Sequence, residues 1–152
     1  MKKYWLLKSE PGCYSILDWK RDGATMWDGV RNFQARNFIR DEMKKGDGVL
    51  FYHSSCAIPA VVGVGEVVSG SYPDPTQFNK KDRHFDAKSS KKDPIWYVVD
   101  VKFKQQLTEP VTLARVKDTR ALDSMMLVKK GVRLSVQPLV QSHFEKILAM
   151  SL

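Results

Sequence analysis

The chain has 152 residues, 43 % of them hydrophobic, which is the length and core material of one domain (1–152) and excludes a disordered chain. Lysine and arginine total 25 against 17 acidic residues, and the net charge of +8 favours polyanionic partners, because each neutralised phosphate releases counterions. Cys13 and Cys56 lie far apart with no C-x-x-C pair, against a zinc site or a redox dithiol, and no apolar run approaches the ~20 residues of a membrane span.

From the N-terminus, residues 4–8 read as a short apolar strand stopped by Pro11. The same stretch breaks at Ser9-Glu10-Pro11, too soon for an export signal, so a cytoplasmic protein is expected. Ser15 is placed to cap a helix running through Arg21 and ended by Gly23. Residues 32–45 carry the clearest helical spacing, with Ala35, Phe38, Ile39 and Met43 on one side, Arg36, Arg40 and Lys44 on another, and Gly46-Asp47 at the end. The pattern then turns to strands over 49–53 and 60–68, the second punctuated by Gly63 and Gly65, where another group approaches or the strand bends. A long polar connection follows, and its basic residues (among them Lys80 and Lys88) fit either a solvated loop or one that contacts a nucleic-acid backbone. A half-buried strand over 96–103, a short strand at 133–136 and a helix over 142–150 complete an α+β chain, read as a small mixed barrel.

The segment from Trp27 to Asn37 gathers an aromatic, two arginines and three carboxamides around a glycine turn that opens the best helix. Arg31 and Arg36 are suited to bidentate phosphate contacts, and Asn32 to the edge of a base. The alternative is structural: Asn32 caps the helix and Trp27 fills the core. In Phe51-Tyr52-His53-Ser54, alternation puts Tyr52 and Ser54 on one side and Phe51 and His53 on the other. An aromatic beside small hydroxyls suits stacking on a base, whereas a lone strand-end His is commonly structural. Catalytic patterns are weak. Cys56 near His53 lacks an orienting third group, Gly63-Val64-Gly65 lacks the third glycine of a dinucleotide fingerprint, and His53, His84 and His143 show no metal-ligand spacing.

Read together, these segments resemble the EVE family. The likeness rests on Tyr4-Trp5-Leu6-Leu7-Lys8-Ser9-Glu10-Pro11, on the Trp27–Asn37 segment and on Phe51-Tyr52-His53-Ser54. It continues through Tyr72-Pro73-Asp74-Pro75-Thr76, Lys88-Ser89, Trp96 and Arg133-Leu134-Ser135-Val136-Gln137-Pro138. The resemblance implies a PUA-like mixed β pseudobarrel with flanking helices, and a non-enzymatic reader of a modified base in DNA or RNA. By that likeness Trp27 and the Lys8-Ser9 strand end form the pocket floor, while Asn32, Tyr52, His53 and Ser54 line its sides, with the base stacked on Trp27 or Tyr52. Arg31 is counted with the base-binding residues and also holds the backbone together with Arg36, Arg40, Lys80 and Lys88, with no metal or cofactor and a monomeric chain. Two other classes remain open: an enzyme or small-ligand protein acting on a nucleotide in the same pocket, with His53 as its titrating group, and a protein-interaction module docking through the long loop.

Overall fold

Successive side chains of a strand point to opposite faces, so the consecutive apolar residues Trp5-Leu6-Leu7 demand a core on each side of the sheet. In the computed structural model, which describes residues 1–151, Tyr4–Ser9 forms strand β1. Helix α1 (Ile16–Asp22) follows. The Ser15 hydroxyl accepts from the Asp18 amide and the Asp18 carboxylate accepts from the Ser15 amide, and Gly23 at φ 76° ends the helix. Next come β2 (Ala24–Met26), helix α2 (Phe33–Asn37), β3 (Gly48–His53) and β4 (Ala60–Val67). Short strands β5 (Tyr72–Pro73) and β6 (Tyr97–Val98) precede the long β7 (Asp100–Thr112), helix α3 (Leu113–Lys117), β8 (Val136–Leu139) and helix α4 (Gln141–Met150).

Six strands make one curled sheet in the order β2-β7-β4-β3-β1-β8, with β1 and β3 parallel and the other neighbours antiparallel. Trp5, Leu7, Val49 and Phe51 face the first core, while Leu6, Leu50 and Tyr52 face the second. The second core is covered by Val116, Leu122 and Ile147 from the C-terminal helices and turns. The first is closed by α1, whose Trp19 stacks on Phe51 with centroids 5.0 Å apart and donates its indole N–H to the Val101 carbonyl. A Cβ at Gly63 would strike Ile16, and one at Gly65 would strike the Trp19 ring and the Lys102 carbonyl, so both glycines in β4 let α1 lie directly on the sheet. Burying a ring such as Phe51 contributes about 1.5–3 kcal/mol, so this close approach supports the whole first core.

Three elements depart from their expected bounds. Helix α2 ends at Asn37 and passes into a π turn over Phe38–Glu42, where the Met43 amide donates to the Phe38 carbonyl. It stops there because the Lys44 amide donates instead to the Asp47 carboxylate, which also accepts the buried Trp5 indole N–H at 2.9 Å. The strand expected over 96–103 divides. Tyr97–Val98 pairs with β5, whereas β7 begins at Asp100 and runs on to Thr112 through mostly exposed polar residues that show no clean alternation. β8 starts at Val136, where pairing with Leu7 of β1 begins.

Candidate functional site

A cavity of about 780 Å³ opens where β1 and β2 end, within the size range of small-molecule sites. Trp27 is among the residues that line it. The Trp27 amide donates to the Val99 carbonyl at 2.9 Å and its ring meets Phe51 edge-on at 5.5 Å. Trp27 is only 8 % exposed, so little of the residue is open to the cavity. Lys8, Ser9 and Tyr14 at the end of β1 and beyond it, and the Asp28–Arg31 turn after β2, line the rest. The loop from Lys81 to His84 forms the rim.

The Asp28–Arg31 turn is held from behind by a fully buried carboxylate. Asp74 is 0 % exposed; its Oδ2 accepts from the Gly29 amide at 2.9 Å and from Arg31 Nη1 at 3.0 Å. Its Oδ1 accepts from the amide and hydroxyl of Thr76. Burial alone would raise the Asp74 pKa, but the hydrogen bonds from Thr76, Gly29 and Arg31 outweigh it and hold the carboxyl below its ordinary value. Arg31 spends all its donors inside the protein. Nε and Nη2 reach the His84 carbonyl, Nη2 also the Thr76 hydroxyl, and Nη1 the Val30 carbonyl and Asp74. The Arg31 guanidinium lies 5.3 Å from the Trp96 ring centroid. Gly29 has φ 78°, and a Cβ there would sit 2.6 Å from His84 Cε1, so the rim loop packs its imidazole onto bare backbone.

The long connection is ordered from within. Gln77, fully buried, donates to the Asp74 and Trp96 carbonyls and accepts from the Ile95 and Trp96 amides. Asn79, Asp82 and Asp86 each accept the amide two residues on, a run of Asx turns that folds the basic stretch.

Asp28 differs from every other acid here. Its side chain faces the cavity solvent and receives no hydrogen bond from another residue; burial by the surrounding walls, then the charge of Asp74, raises its pKa above the ordinary carboxylate value. The Ser9 hydroxyl donates to the Tyr14 carbonyl at 2.6 Å, which leaves Ser9 only lone pairs to offer. The Tyr14 hydroxyl donates to Asp22, and burial with that contact pushes it up to about 12. No group of three His, Cys, Asp or Glu side chains suited to a metal occurs among the described residues.

A model of the EVE domain matches residues 3–150. The chain belongs to the EVE domain family. Thymocyte nuclear protein 1 of Gallus gallus is 42 % identical to it over 97 % of this chain and 68 % of its own length. Among solved structures, a Pseudomonas syringae protein has a TM-score of 0.94 at 43 % identity, covering 98 % of this chain and 99 % of its own. Human THYN1 in complex with 5-methylcytosine containing DNA has a TM-score of 0.91 at 39 % identity, covering 99 % of this chain and 98 % of its own. The fold of this EVE domain is the α+β PUA-like pseudobarrel that the resemblance implied.

Of the residues singled out in the sequence, Lys8, Ser9, Trp27 and Arg31 line the cavity of the EVE domain, and Asn32, Tyr52, His53, Ser54, Arg36, Arg40, Lys80 and Lys88 do not. Tyr52 is 3 % exposed in the second core, on the far face of the sheet from Trp27, so the two rings cannot sandwich a base. The register that pairs Lys8 with Tyr52 also carries the Lys8 ammonium over that ring, 5.9 Å from its centroid, where burial lowers the Lys8 pKa. His53 Nε2 accepts from the Ile16 amide at 3.1 Å and supports the start of α1; burial lowers its pKa. Asn32 caps α2 by accepting the Ala35 amide at 3.0 Å, the structural alternative weighed for it. Ser54 donates its amide to the Ser9 carbonyl behind the wall. Arg31 stands in the wall, but its donors are committed, which corrects its expected role as a phosphate or base ligand. Arg36 reaches the Ile95 carbonyl at 2.7 Å, Arg40 pairs with exposed Asp41, and Lys80 and Lys88 are exposed. Asp28, Tyr14 and the 81–84 rim were missed as site residues. For the rim, the spaced Asn79, Asp82 and Asp86 were a readable signal of order.

Proposed function

We propose that this EVE domain binds nucleic acid, DNA in the first instance, and takes one modified base into the Trp27 cavity. The observation that carries the reading is Asp28, a cavity-facing acceptor with no donor from another residue, in a lining shared with Trp27. Asp28 is itself exposed and hydrated in the free protein; a base entering the cavity displaces that water, and the exocyclic amine of a cytosine-type base is the donor that replaces it. Ser9 adds lone pairs at the end of β1, and the exposed part of Trp27 packs against the ring of the base. Extruding a base into such a pocket is how proteins reach atoms hidden in a duplex. The human relative solved with 5-methylcytosine containing DNA supports this ligand class. The Lys8 ammonium lies over Tyr52 on the other face of the sheet, so Arg36, Arg40, Lys80 and Lys88 take the backbone phosphates.

The test is fluorescence polarisation with paired oligonucleotides that differ by one 5-methylcytosine for cytosine. Asp28→Ala is expected to weaken the modified oligonucleotide about tenfold or more, with the melting temperature unchanged or raised. Wild-type affinity in Asp28→Ala sinks the proposal. Trp27→Ala is the poorer probe, because truncating a core aromatic destabilises by about 3–5 kcal/mol and confounds binding with folding.

A further inference from the structure

Phe33 is the one aromatic among the large hydrophobic side chains exposed in the described residues, at 60 %, and the Trp27 cavity does not use it. Its ring is partly covered. It stacks on Trp96 with centroids 4.9 Å apart and planes 29° from parallel, and the Arg36 guanidinium lies 5.0 Å from its centroid. Trp96 itself is fixed, with its indole N–H on Asp86 at 2.8 Å, and Asp86 also accepts the Lys88 amide. A rigid aromatic platform therefore stands at the surface with Arg36 beside it and Lys88 anchored to the same support. The platform adjoins the cavity. Arg31 of the cavity wall lies 5.3 Å, and Phe33 4.9 Å, from the same Trp96 centroid, so Phe33 is at most about 10 Å from Arg31. At about 3.4 Å of rise per stacked nucleotide, that is a span of a few nucleotides.

We propose that Phe33 is a second stacking surface, holding a base that flanks the one in the cavity while Arg36 and Lys88 neutralise its phosphates. This rests on the nucleic-acid reading above and extends it to a part of the surface that reads no modification. Every base has a π face, so a surface aromatic with cations around it fits a strand of any sequence, whereas a solvent-exposed phenylalanine has nothing to gain from water. The cavity then supplies discrimination and the platform supplies affinity and register.

The experiment measures affinity for the modified and unmodified oligonucleotides with the wild type, Phe33→Ala, Phe33→Leu and Phe33→Trp. A second readout is the fluorescence of 2-aminopurine placed at each position flanking the modified base. Phe33→Leu keeps an apolar cover over Trp96, so it separates lost stacking from lost folding. Phe33→Ala and Phe33→Leu are expected to weaken both oligonucleotides about tenfold with their ratio unchanged, Phe33→Trp to restore binding, and the wild type to alter 2-aminopurine emission at one flank. Wild-type affinity in Phe33→Leu, or a loss confined to the modified oligonucleotide, overturns the platform and leaves the cavity reading standing. A ratio of one in the wild type, with the Phe33 effect intact, overturns the cavity reading alone. A wild type that binds neither oligonucleotide overturns both.

Discussion

Asp74 and Asp28 lie on opposite sides of one turn, and their surroundings make opposite uses of a carboxylate. Asp74 is sealed in and accepts from Gly29, Arg31 and Thr76, so its charge is compensated and its pKa falls below the ordinary value. Asp28 faces an open cavity with no donor from a neighbour, and its pKa rises. The first shapes the turn, and the second is what the turn presents. Their pH signatures must then differ in sign. Asp74 contributes stability that is full above the ordinary Asp value of 3.8 and is lost as pH falls through its lower folded value. Asp28 costs stability above its raised folded value, and that cost vanishes below 3.8, where the group is neutral in both states.

The largest expected effect comes from removing the compensated member. Asp74→Ala leaves the Arg31 charge and the Gly29 amide without their acceptor, and should cost about 3–5 kcal/mol in urea unfolding. A loss under ~1 kcal/mol would mean that the turn does not depend on that buried contact. Next comes Gly29→Ala, which forces a side chain into positive φ and against His84, with an expected loss of about 1–3 kcal/mol. It should also displace the rim, read as weaker binding of any oligonucleotide; unchanged stability would show that His84 yields without strain. The smallest effect sharpens the contrast most. Asp28→Asn should raise the melting temperature near pH 7 and leave it unchanged near pH 3, and a lower melting temperature at neutral pH would assign Asp28 to the structural class with Asp74.

Much of this frame was legible in the sequence, and the failures share a cause. Ser15 and Gly23 could be read because each acts through its own backbone or its immediate neighbours; the β4 glycines could be read as a close approach, but not which groups approach, because Ile16, Trp19 and the Lys102 carbonyl lie far off in the chain. Asn32 was legible in both its roles, and only the Ala35 contact decides for the cap. Tyr52 failed because alternation says which residues share a face but not which face Trp27 shares. That is settled by the register of β1 on β3 and by the contact of Trp27 with Phe51. Arg31 failed because its partners, Asp74 and the His84 carbonyl, lie more than 40 positions away in the chain. Asp28 was hidden by the same distance: a carboxylate without a partner is recognisable only after every candidate partner has been placed.

Gln77 carries one last consequence. By bonding the start and the end of the 74–96 excursion from inside, it welds the rim into the body of the domain. On the proposed base-binding reading, a frame built this way does not gather itself around its guest, so the work of deformation falls on the polymer, which must unstack and swing a nucleotide out. That reading predicts the tightest binding on mismatched, nicked or single-stranded stretches, where the swing is already half done.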